Sequence, residues 1–145
     1  MRLRFILGLL ILLLACALQF WFAASDVFVN FILAALIVFA FFFDIGELTV
    51  YILAAVFIVN WQPAPSGAII VFALIPVAAF VFRKMFAITP WVAALVALVA
   101  GFAVLYLAIA PFAFLAHWQL FSVDIFGGLV FGGTVFATLE RLRRT

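Results

Sequence analysis

The chain has 145 residues, of which 73% are hydrophobic and 8% are charged, and its formal net charge is +2. A chain of this size leaves roughly a third of its extended surface exposed after folding, so a water-soluble fold has no place for this much apolar surface. The lipid bilayer is therefore the expected solvent, and the small net charge gives no argument for nucleic-acid binding. The single cysteine, Cys16, cannot form an internal disulfide.

The chain begins with two arginines, Arg2 and Arg4, followed by an apolar run over residues 5–22. About 20 helical residues cross a hydrocarbon core of roughly 30 Å, so this run predicts a full span. A cleaved signal peptide has the same basic start and apolar middle, and the residues before Cys16 resemble a lipoprotein cleavage site. The apolar run continues past Cys16, which favours a retained first span.

A polar break interrupts the next apolar stretch, which otherwise extends from residue 27 to residue 61. Asp44, Gly46 and Glu47 lie within four residues there and predict a turn between two spans. The number of predicted spans depends on this turn.

The remaining breaks are marked by prolines, glycines and polar residues. Residues 63–67 contain two prolines and a glycine and predict a loop. Thr89 and Pro90 are typical of a helix start, Pro76 is expected to kink the fourth span, and residues 117–124 read as a partly amphipathic connection. The chain is thus predicted to be one transmembrane domain, residues 1–145, with spans at about 4–22, 27–43, 47–61, 67–82, 91–115 and 122–139.

The basic residues support this segmentation. Six spans place both termini on one side, and every Lys and Arg then falls on that side: Arg2, Arg4, Arg83, Lys84, Arg141, Arg143 and Arg144. This is the positive-inside pattern, and without the turn at Asp44 the pair Arg83 and Lys84 would face the opposite side. The expected fold is an all-α integral membrane protein, a six-helix bundle with both termini cytoplasmic. Its compactness and short loops point to the bacterial inner membrane.

Small residues recur on the last predicted span. Gly128 and Gly132 are four residues apart on one helix face, which Gly133 and Ala137 continue. Such spacing lets helix backbones approach closely. Packing within the bundle is the favoured interpretation, and a docking face for a partner's membrane helix is the alternative.

Three acidic residues are candidate functional groups. Asp44 and Glu47 favour the N-terminus of the third helix, and the alternative is an ion or proton site, because a carboxylate below the headgroups is costly. Asp124 is favoured as an outer-side helix cap. If the last span begins near residue 120, its carboxylate instead lies at membrane depth.

No set of reactive residues is recognisable. His117 is the only histidine. A zinc site needs three or four protein ligands, and one histidine does not supply them. One histidine also cannot be assigned to any of the serines in a catalytic set. We therefore expect no enzyme, no metal and no cofactor, and we expect the lipid bilayer and membrane proteins as partners.

The chain resembles the bacterial rod-shape-determining membrane proteins of the MreD family. The resemblance rests on its overall hydropathy pattern and on residues 30–35, 63–67, 124–128 and 139–141. It implies a non-enzymatic scaffold of the cell-wall elongation machinery that binds partner membrane proteins.

The same resemblance implies an alternative, because MreD proteins are similar in fold to the substrate-binding subunits of energy-coupling-factor transporters. A small molecule would then bind on the outer side, where polar and aromatic groups are available. The candidates for that pocket are Trp61, Gln62, His117, Trp118 and Gln119. A third alternative is ion conduction through Asp44, Glu47 or Asp124.

Overall fold

The computed structural model describes residues 2–25, 29–59, 66–85, 89–116 and 118–144. Within these ranges the chain is helical and has no strand, which confirms the predicted all-α class. The helices are α1 (Arg2–Ala23), α2 (Phe31–Phe42), α3 (Ile45–Val59), α4 (Gly67–Met85), α5 (Pro90–Ile109), α6 (Pro111–Ala116) and α7 (Trp118–Arg144).

Four helices in the described part of the chain are long and apolar enough to cross a membrane. These helices are α1, α4, α5 and α7, and their apolar segments contain 20, 19, 20 and 24 residues. Their outer faces carry large apolar side chains such as Trp21, Leu74 and Phe126, each more than half exposed. Water-soluble monomers rarely expose apolar surface on this scale, so the chain is a membrane protein.

Helix α2 forms the centre of the bundle. Its residues are buried from Phe31 to Phe41 on every side, and those from Ile32 to Ala40 have no exposed surface. It packs against α1, α3, α4, α5 and α7. A helix that is apolar all round is expected to be buried. At 12 residues, α2 is only about 18 Å long, which is shorter than a hydrocarbon core of roughly 30 Å.

The predicted turn at Asp44 is confirmed. Helix α2 ends at Phe42, Phe43 is extended with φ −107° and ψ 159°, and α3 begins at Ile45. The Asp44 carbonyl accepts a hydrogen bond from the Leu48 N–H at 2.8 Å, which starts the new helix.

The predicted fifth span, residues 91–115, is divided in the structure. Helix α5 ends at Ile109, Ala110 adopts φ −148° and ψ 65°, and the short α6 begins at Pro111. The proline ring has no N–H and disfavours helical geometry at the preceding residue, which explains a break at this place. Pro90 is the first residue of α5, as expected, but the Thr89 side chain accepts no capping hydrogen bond.

The last helix is longer than predicted. The sequence suggested a connection at residues 117–124 and a basic tail after 139, whereas α7 is continuous from Trp118 to Arg144. The ion pair from Arg144 to Glu140, at 2.7 Å, spans one helical turn and supports the helical tail. Helix α4 is also continuous, because Pro76 lies inside it and does not end it.

Candidate functional site

Three polar side chains surround the N-terminus of α2, and we call them the α2 cap: Gln19, Asn30 and Asp124. The first N–H groups of a helix have no partner within the helix. Here Asp124 Oδ1 accepts from the Asn30 N–H at 2.6 Å, and Gln19 Oε1 accepts from the N–H of Ile32 at 3.2 Å. Asn30 Oδ1 accepts from the N–H of Leu33 at 3.1 Å. Side chains from α1 and α7 thus complete the hydrogen bonding of a helix that water does not reach.

The position of Asp124 differs from the favoured prediction of a cap at the start of the last span, because α7 already begins at Trp118. Asp124 lies inside α7 and is only 3% exposed, yet its carboxylate caps a helix. The capped helix is α2 rather than the last span itself. A negative group at a helix N-terminus is also favoured by the helix dipole. The geometry therefore explains why an acidic side chain is buried at this position.

The other two acidic candidates lie at the start of α3. Asp44 is exposed and Glu47 is half-buried. Glu47 Oε2 accepts from the Asp44 N–H at 3.5 Å, a long contact in the arrangement of a capping box. Glu47 thus contacts the start of α3, and the ion or proton site at these two acids stays a prediction.

The glycines of α7 divide into two sets. Gly128 is buried against the ring of Phe102, and Gly132 is buried with Leu98 of α5 close to its backbone. Gly133 and Ala137 lie on the outer side of the same helix. The structure therefore uses the first pair for packing within the bundle and leaves the second pair on an outer surface.

That outer surface is a shallow groove, which we call the α7 groove. Its volume is about 520 Å³. Its lining residues are Trp91, Leu129, Val130, Gly133, Thr134, Ala137, Thr138 and Arg141. The two threonine hydroxyls donate to carbonyls one turn earlier in α7, at 2.8 and 2.9 Å. Both hydroxyl groups therefore have an acceptor within α7 and need no water. The groove thus presents a surface suited to apolar contact.

The candidate outer-side pocket is only partly within the described residues. Trp61, Gln62 and His117 lie outside them. Trp118 and Gln119 are both exposed at the start of α7. The small-molecule pocket proposed for these residues therefore stays a prediction.

A cavity of about 450 Å³ opens at the other end of the bundle, and we call it the arginine cavity. Arg4 of α1, Arg83 of α4 and Arg143 of α7 line it. Its apolar walls come from residues at helix ends, including Leu7, Phe41, Phe42 and Leu139. The start of α1 and the end of α7 thus meet at this cavity.

Sequence reasoning missed two parts of this arrangement. Asn30 precedes a long apolar run and so carried a recognisable N-cap signal, but the sequence gave no sign that Gln19 and Asp124 reach the same helix end. Arg4, Arg83 and Arg143 were placed on one side of the membrane without any indication that they share a cavity.

Comparisons with protein-family models, with curated proteins and with solved structures find no match for this chain.

Proposed function

We propose that the chain is a six-span scaffold protein of the bacterial inner membrane, similar to the MreD proteins. In this proposal it binds partner membrane proteins of the cell-wall elongation machinery and carries out no reaction itself. The observation that carries the binding role is the α7 groove, where the exposed Thr134, Ala137 and Thr138 and the half-buried Gly133 lie along one helix face.

The meeting of helix ends at the arginine cavity supports the six-span arrangement. The starts of α1 and α5 and the ends of α2, α4 and α7 line this one cavity. Helices that cross alternately, with both termini on one side, place these five ends together. The basic residues at this end then favour a cytoplasmic location.

Helices α2 and α3 are short for membrane crossings, at 12 and 15 residues. Surrounding helices cover α2 almost completely, so its length need not match the bilayer. Local thinning accommodates a short span such as α3 at modest cost.

The α7 groove is suited to a transmembrane helix because four of its lining residues, Gly133, Thr134, Ala137 and Thr138, are small. Lipid tails are as apolar as leucine, so helices associate in membranes through close packing rather than by hiding apolar surface from water. Gly133 and Ala137 are four residues apart and allow close approach, and the neighbouring Thr134 hydroxyl already has an acceptor within α7.

Replacement of small groove residues by leucine tests the proposal. Tagged protein is solubilised gently from native membranes, and its partners are identified by mass spectrometry. Ala137→Leu and Thr134→Leu are expected to abolish co-purification, because each fills the groove. Ala17→Leu, an exposed position on α1, is the matched control and should leave the partners unchanged.

The identity of the partners distinguishes the scaffold function from the transport alternative. Recovery of cell-shape or cell-wall synthesis proteins supports the scaffold. Recovery of an ATPase pair with a coupling membrane subunit supports the transport alternative instead. If partners co-purify equally with Ala137→Leu, Thr134→Leu and Ala17→Leu, the α7 groove is not the docking surface.

A reporter fused to either terminus tests the topology. A cytoplasmic signal from both ends is expected for six spans. Signals from opposite sides would mean an odd number of crossings and would refute the six-span arrangement.

A further inference from the structure

The fold brings three arginines to one cavity from distant parts of the sequence. Arg4 is in the first turn of α1, Arg83 is near the end of α4, and Arg143 is near the end of α7. All three line the same space of about 450 Å³. This volume lies in the range of small-molecule sites, roughly 300–1,000 Å³.

Few carboxylates near these arginines offset their charge. Within the described ranges, Glu140 forms an ion pair with Arg144, outside the cavity, and none of the three cavity arginines forms an ion pair. Asp44 acts electrostatically on Arg83, and Arg143 also acts on Arg83 with the opposite sign. The cavity therefore holds an excess of positive charge.

A contact with a neighbouring aromatic ring fixes the position of one of the three guanidinium groups. The guanidinium carbon of Arg83 lies 4.8 Å from the ring centroid of Phe80, which is buried, and this contact orients the side chain. The N-terminus of α5 also opens here, since Pro90 and Ala93 line the cavity. The Thr89 side chain makes no capping hydrogen bond to that helix, and the helix dipole favours an anion at this end.

A structural role accounts for some of the same features. Arg83 and Arg143 lie in the last turns of their own helices, and the C-terminal residues of α2 reach the cavity. Cations near helix C-termini are stabilising. That role requires no shared cavity, however, and it does not explain why the start of α5 lines the same space.

We propose that the arginine cavity binds a phosphomonoester group, supplied by the head group of a membrane lipid. Guanidinium groups match the oxygens of a phosphate through paired hydrogen bonds. The apolar walls formed by Leu7, Phe41 and Leu139 suit the first carbons of a lipid chain. A free phosphate shares the anionic chemistry but does not use these walls. The inference goes beyond the proposed docking function and does not depend on it.

Binding of lipids to the purified chain in detergent tests this proposal, with native mass spectrometry as the readout. Phosphatidic acid carries a phosphomonoester and is expected to bind more tightly than phosphatidylglycerol, and phosphatidylcholine least. Arg143→Gln should weaken binding of phosphatidic acid by about tenfold, because hydrogen bonds to a charged group are lost. Arg143→Lys should fall between, since it keeps the charge and loses the paired geometry.

Arg144→Gln is the matched control, because it removes the same charge from the next residue of α7, outside the cavity. It should change the affinity by no more than about twofold. Arg83→Gln provides a second cavity variant, and helical circular dichroism with gel filtration verifies that each variant is folded.

Each result decides the question. Equal losses for Arg143→Gln and Arg144→Gln, or equal binding of phosphatidic acid and phosphatidylglycerol, would show attraction to the basic tail alone and overturn the site. Competition by inorganic phosphate at concentrations similar to those of the lipid would keep the anion site and overturn its assignment to lipid. Because partner co-purification is not measured here, failure of this proposal is distinct from failure of the α7 groove.

Discussion

Replacement of Asp124 should destabilise the bundle through the buried N-terminus of α2. Asp124→Ala removes the acceptor that lies 2.6 Å from the Asn30 N–H. Asp124→Asn keeps an oxygen at nearly the same position and removes the negative charge. The two variants therefore separate the hydrogen bond from the charge.

The expected magnitudes follow from the burial of the site. A hydrogen bond to a charged group contributes about 1.5–3 kcal/mol, and removing one partner leaves the other without water. Since Asp124 is 3% exposed, we expect Asp124→Ala to lower the free energy of unfolding by about 2–3 kcal/mol. Asp124→Asn should lower it by about 1 kcal/mol, because the weaker neutral hydrogen bond remains while the desolvation cost of the charge is relieved.

Unfolding in mixed micelles with increasing sodium dodecyl sulfate measures these differences, followed by helical circular dichroism. Glu140→Gln is the control, because it removes an acid from the same helix at an exposed ion pair. An exposed pair one turn apart contributes only about 0.5 kcal/mol.

Two outcomes would refute this reasoning about the α2 cap. If Asp124→Ala is as stable as Glu140→Gln, the hydrogen bond to Asn30 does not support α2. If Asp124→Asn is as unstable as Asp124→Ala, the charge rather than the acceptor matters, and the ion or proton reading of Asp124 gains support.

Two further substitutions test the packing of the bundle. Gly128→Ala should lower the free energy of unfolding by about 1–3 kcal/mol, because its new methyl group would overlap the fully buried ring of Phe102. A methyl group at Gly46 meets nothing within 4 Å. In the same unfolding assay, Gly46→Ala should therefore be neutral or stabilising by up to about 1 kcal/mol. Tyr51→Phe should cost about 0.5–1.5 kcal/mol, because the hydroxyl donates to the Phe5 carbonyl at 3.0 Å. Equal stabilities of the two glycine variants, or a Tyr51→Phe variant as stable as the wild type, would contradict these packing arguments.

The sequence predicted the features that are indicated by residue types at particular positions. Asp44, Gly46 and Glu47 stand out from an apolar stretch, and the turn between α2 and α3 is where they predicted it. The predicted span over residues 91–115 included no break at Pro111, because the effect of this proline on Ala110 depends on local backbone geometry. These are local properties, and local signals identify them well.

The start of α7 shows why tertiary relations escaped prediction. Asp124 suggested a polar connection outside the membrane, since a charged residue is costly inside it. In the structure Asp124 lies within α7, and the N–H of Asn30, the residue that precedes α2, donates a hydrogen bond to its carboxylate. The partner is 94 residues away in the sequence, and no periodicity in α7 indicates it. Gln19 escaped notice for the same reason.

The polar groups within the bundle are arranged around the two ends of α2. Its N-terminus receives the Asp124 carboxylate, and its C-terminus leads to a cavity lined by Arg4, Arg83 and Arg143. Each sign of charge is the one that the helix dipole favours at that end. One carboxylate lies at the N-terminal end with Gln19 and Asn30, whereas three arginines meet at the C-terminal end beside the N-terminus of α5. The requirements of α2 therefore account for the acidic end of the bundle fully and for the basic end only in part, and this remaining positive charge is what an anionic ligand would neutralise.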